Sequence, residues 1–247
     1  MTLTVLSRSA AVAAAVAVVA TGCGGSGSEP ATSTSAETTS VETTSPETTA
    51  TTTTSATAAP STARIAPRKE APKGPAPTIA DYIADNDIQE FPVHVGDPGA
   101  PEIDLPMPEG WQPAGEDTPE WAYGAIYYDG PGAEEYTPSV VALVSRLVGN
   151  VDPQAVLDHA AGELTNLPGW TPLGEGGEST LGEYPAYQLA GNWNQDGVAK
   201  VVAQKTVVIP GRDGLYVLQL NADGLESQSD IVAEATNVID DETVITP

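Results

Sequence analysis

Few side chains in this sequence have the types and spacing that catalysis needs. Beyond residue 77 there is no cysteine, no G-x-S-x-G elbow, and only two histidines, His94 and His159. His159 falls in an amphipathic helical pattern and is predicted to be a partly buried helix residue. His94 lies in a Pro/Gly-rich stretch, where a hydrogen bond that fixes the loop is favoured over general-base work. The sequence predicts a domain that is not an enzyme.

The acidic residues lack the spacing of a metal site. Glu134-Glu135 and Asp240-Asp241-Glu242 do not have the alternating oxygen ligands of a calcium loop. The glycines at 174, 176 and 177 lack the lysine and the spacing of a phosphate-binding loop. We therefore expect no metal and no cofactor, and interpret the carboxylates as solvated charge.

Aromatic rings with a polar edge are the remaining candidates for ligand binding. The chain has four tryptophans and eight tyrosines but one phenylalanine. Rings of this kind suit a groove that holds a lipid or glycolipid, because their bodies are apolar and their edges form hydrogen bonds. Ordinary core packing is the alternative for each of them. The candidate ligand-binding residues are Trp111, Trp121, Tyr123, Tyr187 and Trp193.

The first 22 residues have the features of an export signal. Arg8 precedes an apolar run over residues 10–20, which is shorter than the roughly 20 residues that span a bilayer. Small residues directly precede Cys23, the only cysteine in the chain, as in signals of the lipoprotein type. We expect residues 1–22 to be cleaved and a lipid on Cys23 to anchor the protein outside the cell membrane, with partial release as an alternative.

Residues 23–77 differ in composition from residues 78–247. Thr, Ser, Ala, Pro, Gly and Glu dominate this segment, in which Val41 and Ile65 are the only large aliphatic residues. Such a composition cannot bury enough apolar surface to offset the entropy of ordering. We predict a disordered tether that holds a globular domain, residues 78–247, away from the membrane.

The net charge of the chain lies in the predicted domain. Five of the 34 acidic side chains precede residue 78, whereas the remaining 29 accompany four basic ones and the formal net charge is −25. A surface this acidic repels phosphate backbones, which excludes nucleic acid as a partner. The four basic residues of the domain are Arg146, Lys200, Lys205 and Arg212.

Three segments carry helical signals. Thr78 and Asp81 make a capping-box pattern that predicts a helix over residues 78–88. A second helix is predicted over residues 153–166, where Asp-Pro precedes a helical apolar repeat. A third is predicted from about residue 227, with an aspartate three residues further on.

The strand signals predict an antiparallel sheet. Both faces of residues 139–148 are apolar, which indicates that both faces of the sheet are covered. Asp-Gly turns join the later strands so closely that they must form a meander. Residues 92–105 are expected to be an ordered loop that ends in a short strand. The resulting fold class is an α+β sandwich, and its predicted strands cover residues 103–105, 121–128, 139–148, 186–193, 198–209 and 215–221.

Several long stretches of the domain resemble the mycobacterial LpqN/LpqT lipoprotein family. The resemblance runs in order from residue 78 to the C-terminus. The stretches are TIADYI (78–83), PVHVGDPGAPEIDLP (92–106), GELTNLPGW (162–170), VAQKTVVIP (202–210), VLQLNAD (217–223) and NVIDDETVITP (237–247).

This resemblance implies a Mog1p/PsbP-like fold with an antiparallel sheet flanked by helices. It also implies an accessory role in envelope assembly, linked with trehalose-mycolate-type glycolipids and the transporter that exports them. No catalytic residues are implied. The favoured function is lipid handling, the alternative is an outward-facing protein-interaction module with an acidic surface, and a hydrolase that uses His94 is the least favoured.

Overall fold

The computed structural model describes Ile65 and residues 73–247, which form four helices and eleven strands. The helices are α1 (Ile79–Asp85), α2 (Pro153–Asp158), α3 (Gly162–Thr165) and α4 (Ser229–Glu242). The strands are β1 (Gln89–Pro92), β2 (Glu102–Asp104), β3 (Trp111–Pro113), β4 (Gly124–Tyr128), β5 (Ser139–Val148), β6 (Thr171–Pro172), β7 (Gly177–Leu181), β8 (Tyr184–Gln195), β9 (Val198–Gly211), β10 (Gly214–Leu225) and β11 (Val244–Thr246).

Tight hairpins produce the predicted meander of β8, β9 and β10. Gln195 pairs with Val198 across the first hairpin, and its two loop residues, Asp196 and Gly197, have φ angles of 54° and 94°. Two consecutive positive φ angles define a type I′ turn, whose twist matches that of the strands. The antiparallel meander predicted from the sequence is confirmed.

The described residues form a nine-stranded antiparallel sheet with the central order β3-β4-β5-β10-β9-β8-β6. β1 also pairs with β5, and β7 with β8. The outer edge of β5 is therefore shared by β1 and β4, and the outer edge of β8 by β6 and β7. A separate ribbon joins β11 to β2. Short edge strands limit the edge available for pairing with another chain.

The helix α4 covers one face of the sheet. Val232, Ala235 and Ile239 of α4 are at most 3% exposed and belong to one cluster with alternate residues of the central strands. Alternation follows from the two-residue period of a strand. The strand residues in this cluster include Val140, Ala142, Val144, Val207, Ile209, Leu218 and Leu220.

The opposite face is covered only in part. Ile79 and Tyr82 of α1 and Val156 and Leu157 of α2 pack on Leu147, Val208, Leu215 and Val217 at one end of the sheet. The other end, which includes Val141 and Leu143, lies beyond these two helices. The predicted sandwich is confirmed, and the partial cover leaves room for a groove.

The first helix begins as predicted and ends early. The Thr78 hydroxyl accepts a hydrogen bond from the Asp81 backbone, and the Asp81 carboxylate accepts one from the Thr78 backbone. The helix ends at Asp85. The side chain of the next residue, Asn86, donates to the Tyr82 carbonyl, and Asp87 has a positive φ of 53°. The expectation of helix up to residue 88 is therefore three residues too long.

The second predicted helix is broken in two. α2 ends at Asp158, and α3 begins at Gly162 after a turn. The break accommodates the chain before α1, because a Cβ on Gly162 would lie 2.1 Å from the Pro77 carbonyl oxygen. The Asn166 side chain holds the same segment with two hydrogen bonds: its Oδ1 accepts from the Ala76 N–H at 3.0 Å, and its Nδ2 donates to the Ala76 carbonyl at 2.8 Å.

The predicted loop over residues 92–105 begins inside a strand. Residues 89–92 pair with β5 as β1, and Pro92 lies opposite Ser145. An edge position tolerates proline because its missing N–H can face away from the ladder. The short strand predicted at residues 103–105 is observed one residue earlier, as β2.

Two other predicted boundaries are wrong. Residues 121–123 belong to a turn, in which the Ala122 N–H donates to the Pro119 carbonyl, so β4 starts at Gly124. The last helix starts at Ser229, after a 3₁₀ turn over Glu226–Gln228. Gln228 is used for tertiary contacts, since its side chain accepts from the Leu225 N–H and donates to the carbonyls of Gly132 and Tyr136. The strands β1, β3, β6, β7 and β11 are not among those predicted from the sequence.

Candidate functional site

A groove lies on the part of the sheet that α1 and α2 leave uncovered. Its enclosed volume is about 160 Å³. This is smaller than the roughly 300–1,000 Å³ of sites for drug-sized molecules, so the groove can hold only part of a larger ligand. Its lining side chains include Ile65, Trp121, Ser139, Val141, Leu143, Glu163, Leu164, Leu167, Trp193, Gln195, Lys200, Val202, Gln204, Asn221 and Asp223.

Strand register brings the lining side chains together. Asn221 lies between Val141 of β5 and Gln204 of β9, opposite both. Asp223 lies between Ser139 and Val202 in the next row on the same face. Because residues two apart on a strand share a face, these two rows form one continuous floor.

Apolar side chains outside this floor also line the groove. Leu164 belongs to α3 and Leu167 to the turn after it, and both are half-buried. Trp193, near the end of β8, and Trp121, in the turn before β4, also line the groove. Trp121 is 43% exposed. An alkyl chain between these side chains would remove apolar surface from water on both sides.

The floor carries two amide groups with unused hydrogen-bonding capacity. Gln204 is 3% exposed, and its Nε2 donates to the Asn221 Oδ1 at 2.9 Å and the Glu163 carboxylate at 3.3 Å. Among the described residues, the Gln204 Oε1 and the Asn221 Nδ2 have no hydrogen-bond partner. The two atoms are an acceptor and a donor on neighbouring strands, and a hydroxyl group can both donate and accept. A buried polar atom without a partner costs free energy, so a hydroxylated ligand would gain from pairing both.

An ion pair between a buried lysine and a partly buried aspartate also lines the groove. Lys200 contacts Asp223, whose carboxylate also accepts hydrogen bonds from the Ser139 hydroxyl at 2.9 Å and the Tyr136 hydroxyl. The Lys200 ammonium lies 4.6 Å from the centre of the Tyr136 ring. Burial, followed by the neighbouring Asp223 carboxylate, raises the pKa of Tyr136 above its ordinary value. These groups satisfy one another, so the cluster is suited to holding strands together.

Two of the five predicted binding residues, Trp121 and Trp193, line the groove. Trp111 is 4% exposed and packs in the α4 face, 5.8 Å from the Tyr128 ring centre. Tyr123 packs against the same core, and Tyr187 packs against the helix cluster of α1 and α2. The structure therefore does not bring the five rings together.

Sequence reasoning missed Leu164, Leu167, Gln204 and Asn221. Gln204 and Asn221 lie in strands that other polar residues, such as Lys200 and Gln219, also interrupt, so no signal in the sequence set these two apart. Leu164 and Leu167 gave no such signal, since a leucine in a helical pattern is ordinarily part of the core.

The two histidines form local hydrogen bonds. The His94 Nε2 lies 3.3 Å from the Glu120 carbonyl oxygen, and its backbone N–H donates to Asp97 at 2.8 Å. Asp97 and His94 are both about half exposed, at 47% and 50% of their side chains. The His159 Nδ1 lies 2.6 Å from the Ala155 carbonyl oxygen, at the end of α2. Both positions agree with structural roles.

Residues 73–247 and Ile65 contain no group of three or more His, Cys, Asp or Glu side chains that could hold a metal ion. In the same part of the chain, none of the helices has the length and apolarity to cross a membrane. Cys23, the predicted signal, and residues 24–64 and 66–72 of the predicted tether lie outside the described residues.

Comparison with known proteins identifies relatives over the described domain. Residues 75–246 match the family model described as "Probable lipoprotein LpqN". The lipoprotein LpqN of Mycobacterium tuberculosis is 50% identical over 170 residues, which are 69% of this chain and 74% of that protein.

A solved structure gives the same result. The crystal structure of LpqN, described as involved in cell envelope biogenesis of M. tuberculosis, has a TM-score of 0.66 at 50% identity and covers 70% of this chain and 100% of that one. This match confirms the antiparallel α+β fold. The Ran-binding protein Mog1p of Saccharomyces cerevisiae, at 14% identity and a TM-score of 0.38, covers 64% of this chain and 95% of that one. The family match and the identity to LpqN together show that this chain belongs to the LpqN family of lipoproteins.

Proposed function

We propose that this protein is a lipid-anchored, non-catalytic binding protein of the cell envelope, whose groove takes an amphiphile with an alkyl chain and a hydroxylated headgroup. One observation carries the proposal: half-buried apolar side chains flank a floor on which the Gln204 Oε1 and the Asn221 Nδ2 lack partners among the described residues. Trehalose-mycolate-type glycolipids have this chemistry. The groove would hold only part of such a molecule, since its enclosed volume is about 160 Å³, below that of sites for drug-sized ligands.

The family relationship supports a location in the cell envelope. The related LpqN is named a lipoprotein and its structure is described as involved in cell envelope biogenesis. We propose that acylated Cys23 locates this chain on the outer side of the cell membrane, and that it passes glycolipid to or from an envelope lipid transporter. A carrier of this kind needs a reversible groove and no reactive group.

Titration of the chain from Gly24 to Pro247 with a short-chain trehalose monoester below its micelle concentration tests this function. We expect binding with 1:1 stoichiometry and a shift in tryptophan fluorescence. Leu167→Ser should weaken the affinity by about tenfold, because about 1.4 kcal/mol of apolar contact is lost. Leu173→Ser is the matched control, since Leu173 is 56% exposed and lies outside the groove. No binding by the wild-type chain, or an equal effect of the two substitutions, contradicts the proposal.

An outward-facing protein-interaction module is the second candidate. The acidic charge of the domain favours this candidate. Two of the four basic residues beyond position 77 are buried in ion pairs, Lys200 with Asp223 and Lys205 with Asp240. These two pairs cancel, so the remaining side chains keep the whole net charge with only two basic residues, Arg146 and Arg212, among them. Retention of envelope proteins on the immobilised domain, with loss of retention at about 0.5 M salt and no glycolipid binding, would favour this candidate.

A further inference from the structure

The side chain of Ile65 is buried against the domain, although it precedes the first helix by 14 residues. It is 6% exposed and packs in one cluster with Ala114, Ala122, Tyr127 and Val141. The cluster occupies the end of the sheet that α1 and α2 leave uncovered. Ile65 therefore covers apolar surface that no described helix covers.

The same side chain lines the proposed lipid groove. Ile65 and Val141 are both lining residues, together with Trp121 and Leu143. An alkyl chain in the groove would contact Val141 and Leu143, which are apolar side chains on the floor near Ile65. Ile65 and an alkyl chain in the groove would thus pack on the same apolar surface of the sheet.

Large aliphatic side chains are rare in the segment that contains Ile65. Between residues 24 and 72 the only large aliphatic side chains are Val41 and Ile65, in a segment otherwise dominated by small and polar residues. Of these two, Ile65 is closer in sequence to the domain, and its side chain is buried. Ile65 precedes Lys73 by about eight residues, and a connection of this length extends at most about 29 Å. A segment on so short a connection has an effective concentration in the millimolar range at the domain surface.

We propose that Ile65 is an intramolecular competitor for the groove: it covers the apolar floor when no ligand is bound and leaves when an amphiphile binds. This inference rests on the proposed function. A single aliphatic side chain offers less apolar area than an alkyl chain of several carbons, so a long-chain ligand displaces it and a small apolar molecule does not. Ile65 thereby keeps the floor out of water and sets a minimum chain length for the ligand.

The contact itself can be tested without a ligand. The chain from Gly24 to Pro247 contains the whole tether and domain, and its isoleucine and valine methyl groups can be labelled for NMR. We expect a methyl NOE between Ile65 and Val141 that disappears when the short-chain trehalose monoester is added to saturation. Absence of the NOE before addition, or its persistence at saturation, overturns the proposal.

Affinity gives an independent readout. Ile65→Ser should bind the monoester about tenfold more tightly, because the burial of one aliphatic side chain no longer competes. Val41→Ser, which removes the other large aliphatic of the same segment, should leave the affinity unchanged. Unchanged or weaker affinity of Ile65→Ser overturns the competition alone and leaves the binding function standing. Absence of binding by every form, with the NOE present, overturns both.

Discussion

Lys200 of β9 and Asp223 of β10 form an ion pair at one end of the groove, on the partly covered face of the sheet. The lysine is 4% exposed, and the aspartate also accepts hydrogen bonds from the hydroxyls of Ser139 and Tyr136. The pair therefore links β5, β9 and β10 through one carboxylate. Removal of one partner would leave the other charge buried without compensation.

Asp223→Asn is expected to lower the free energy of unfolding by about 3–5 kcal/mol, because Lys200 loses its counter-ion in a buried position. Urea denaturation measures the change. Asp241→Asn is the matched control, since Asp241 is an exposed aspartate of α4, and we expect little change. The double variant Lys200→Met/Asp223→Leu should recover most of the stability, and an equal loss in the single and double variants would refute this account.

The amide pair on the floor should select ligands with hydroxyl groups. In Gln204→Leu/Asn221→Leu we expect the affinity for a trehalose monoester to fall by about tenfold or more, since one hydrogen bond contributes about 0.5–1.5 kcal/mol and two would be lost. The affinity for a methyl ester of the same chain length should stay the same or rise. Calorimetric titration with both probes measures the ratio, and an equal loss for both would show that the amides do not select.

Asp81 should make stability depend on pH. The Thr78 hydroxyl, followed by the Thr78 backbone N–H, donates to the Asp81 carboxylate and lowers its pKa below the ordinary value of 3.8. Because the folded-state pKa is below the unfolded one, the ionised group stabilises the fold above pH ~4, and this contribution disappears as the pH falls through the lowered pKa. The urea midpoint of Asp81→Asn should lie slightly below that of the wild type at about pH 7 and coincide with it near about pH 2. A gap of the same size at both pH values would contradict this assignment.

Two glycines of the sheet should respond differently to alanine. A Cβ on Gly191 of β8 would lie 2.4 Å from the Trp170 ring and 2.6 Å from the Thr171 carbonyl oxygen, whereas a Cβ on Gly177 of β7 meets nothing within 4 Å. Gly191→Ala should therefore cost about 1–3 kcal/mol of stability through overpacking. Gly177→Ala should stay within about 0.5 kcal/mol of the wild type. Urea midpoints compare the two, and similar values would show that the ring can move aside.

Cys23→Ser should release the protein from the membrane. The serine hydroxyl is not a substrate for thiol lipidation, and each buried CH₂ of an acyl chain contributes about 0.8 kcal/mol to partitioning. Fractionation of cells that express the full chain measures the distribution, and Cys23→Ser should move to the soluble or secreted fraction. Equal membrane association of both forms would exclude the lipid anchor.

Local signals predicted elements more reliably than their ends. The capping box at Thr78 and the Asp196-Gly197 hairpin depend on residues adjacent in sequence, and both are observed. The break at Gly162 and the use of Gln228 depend on Pro77, Gly132 and Tyr136, which are far away along the chain. A pattern confined to one short segment has no information about such contacts.

The candidate site shows the same division. Trp121 and Trp193 were predicted because amphipathic rings favour binding surfaces. Trp111 has the same chemistry, yet strand parity places it on the α4 face. Gln204 and Asn221 become a pair only through the register of β9 and β10.

The sequence by itself determined the α+β class, the acidic charge, the meander and the resemblance to the LpqN family, because composition, turns and long matching stretches are properties of the linear chain. Only the tertiary structure decided which face of the sheet stays partly uncovered, which amides and tryptophans meet there, and that Ile65 lies among them. The physical reason is that burial and pairing depend on distances between residues remote in sequence, which the packing of strands and helices sets.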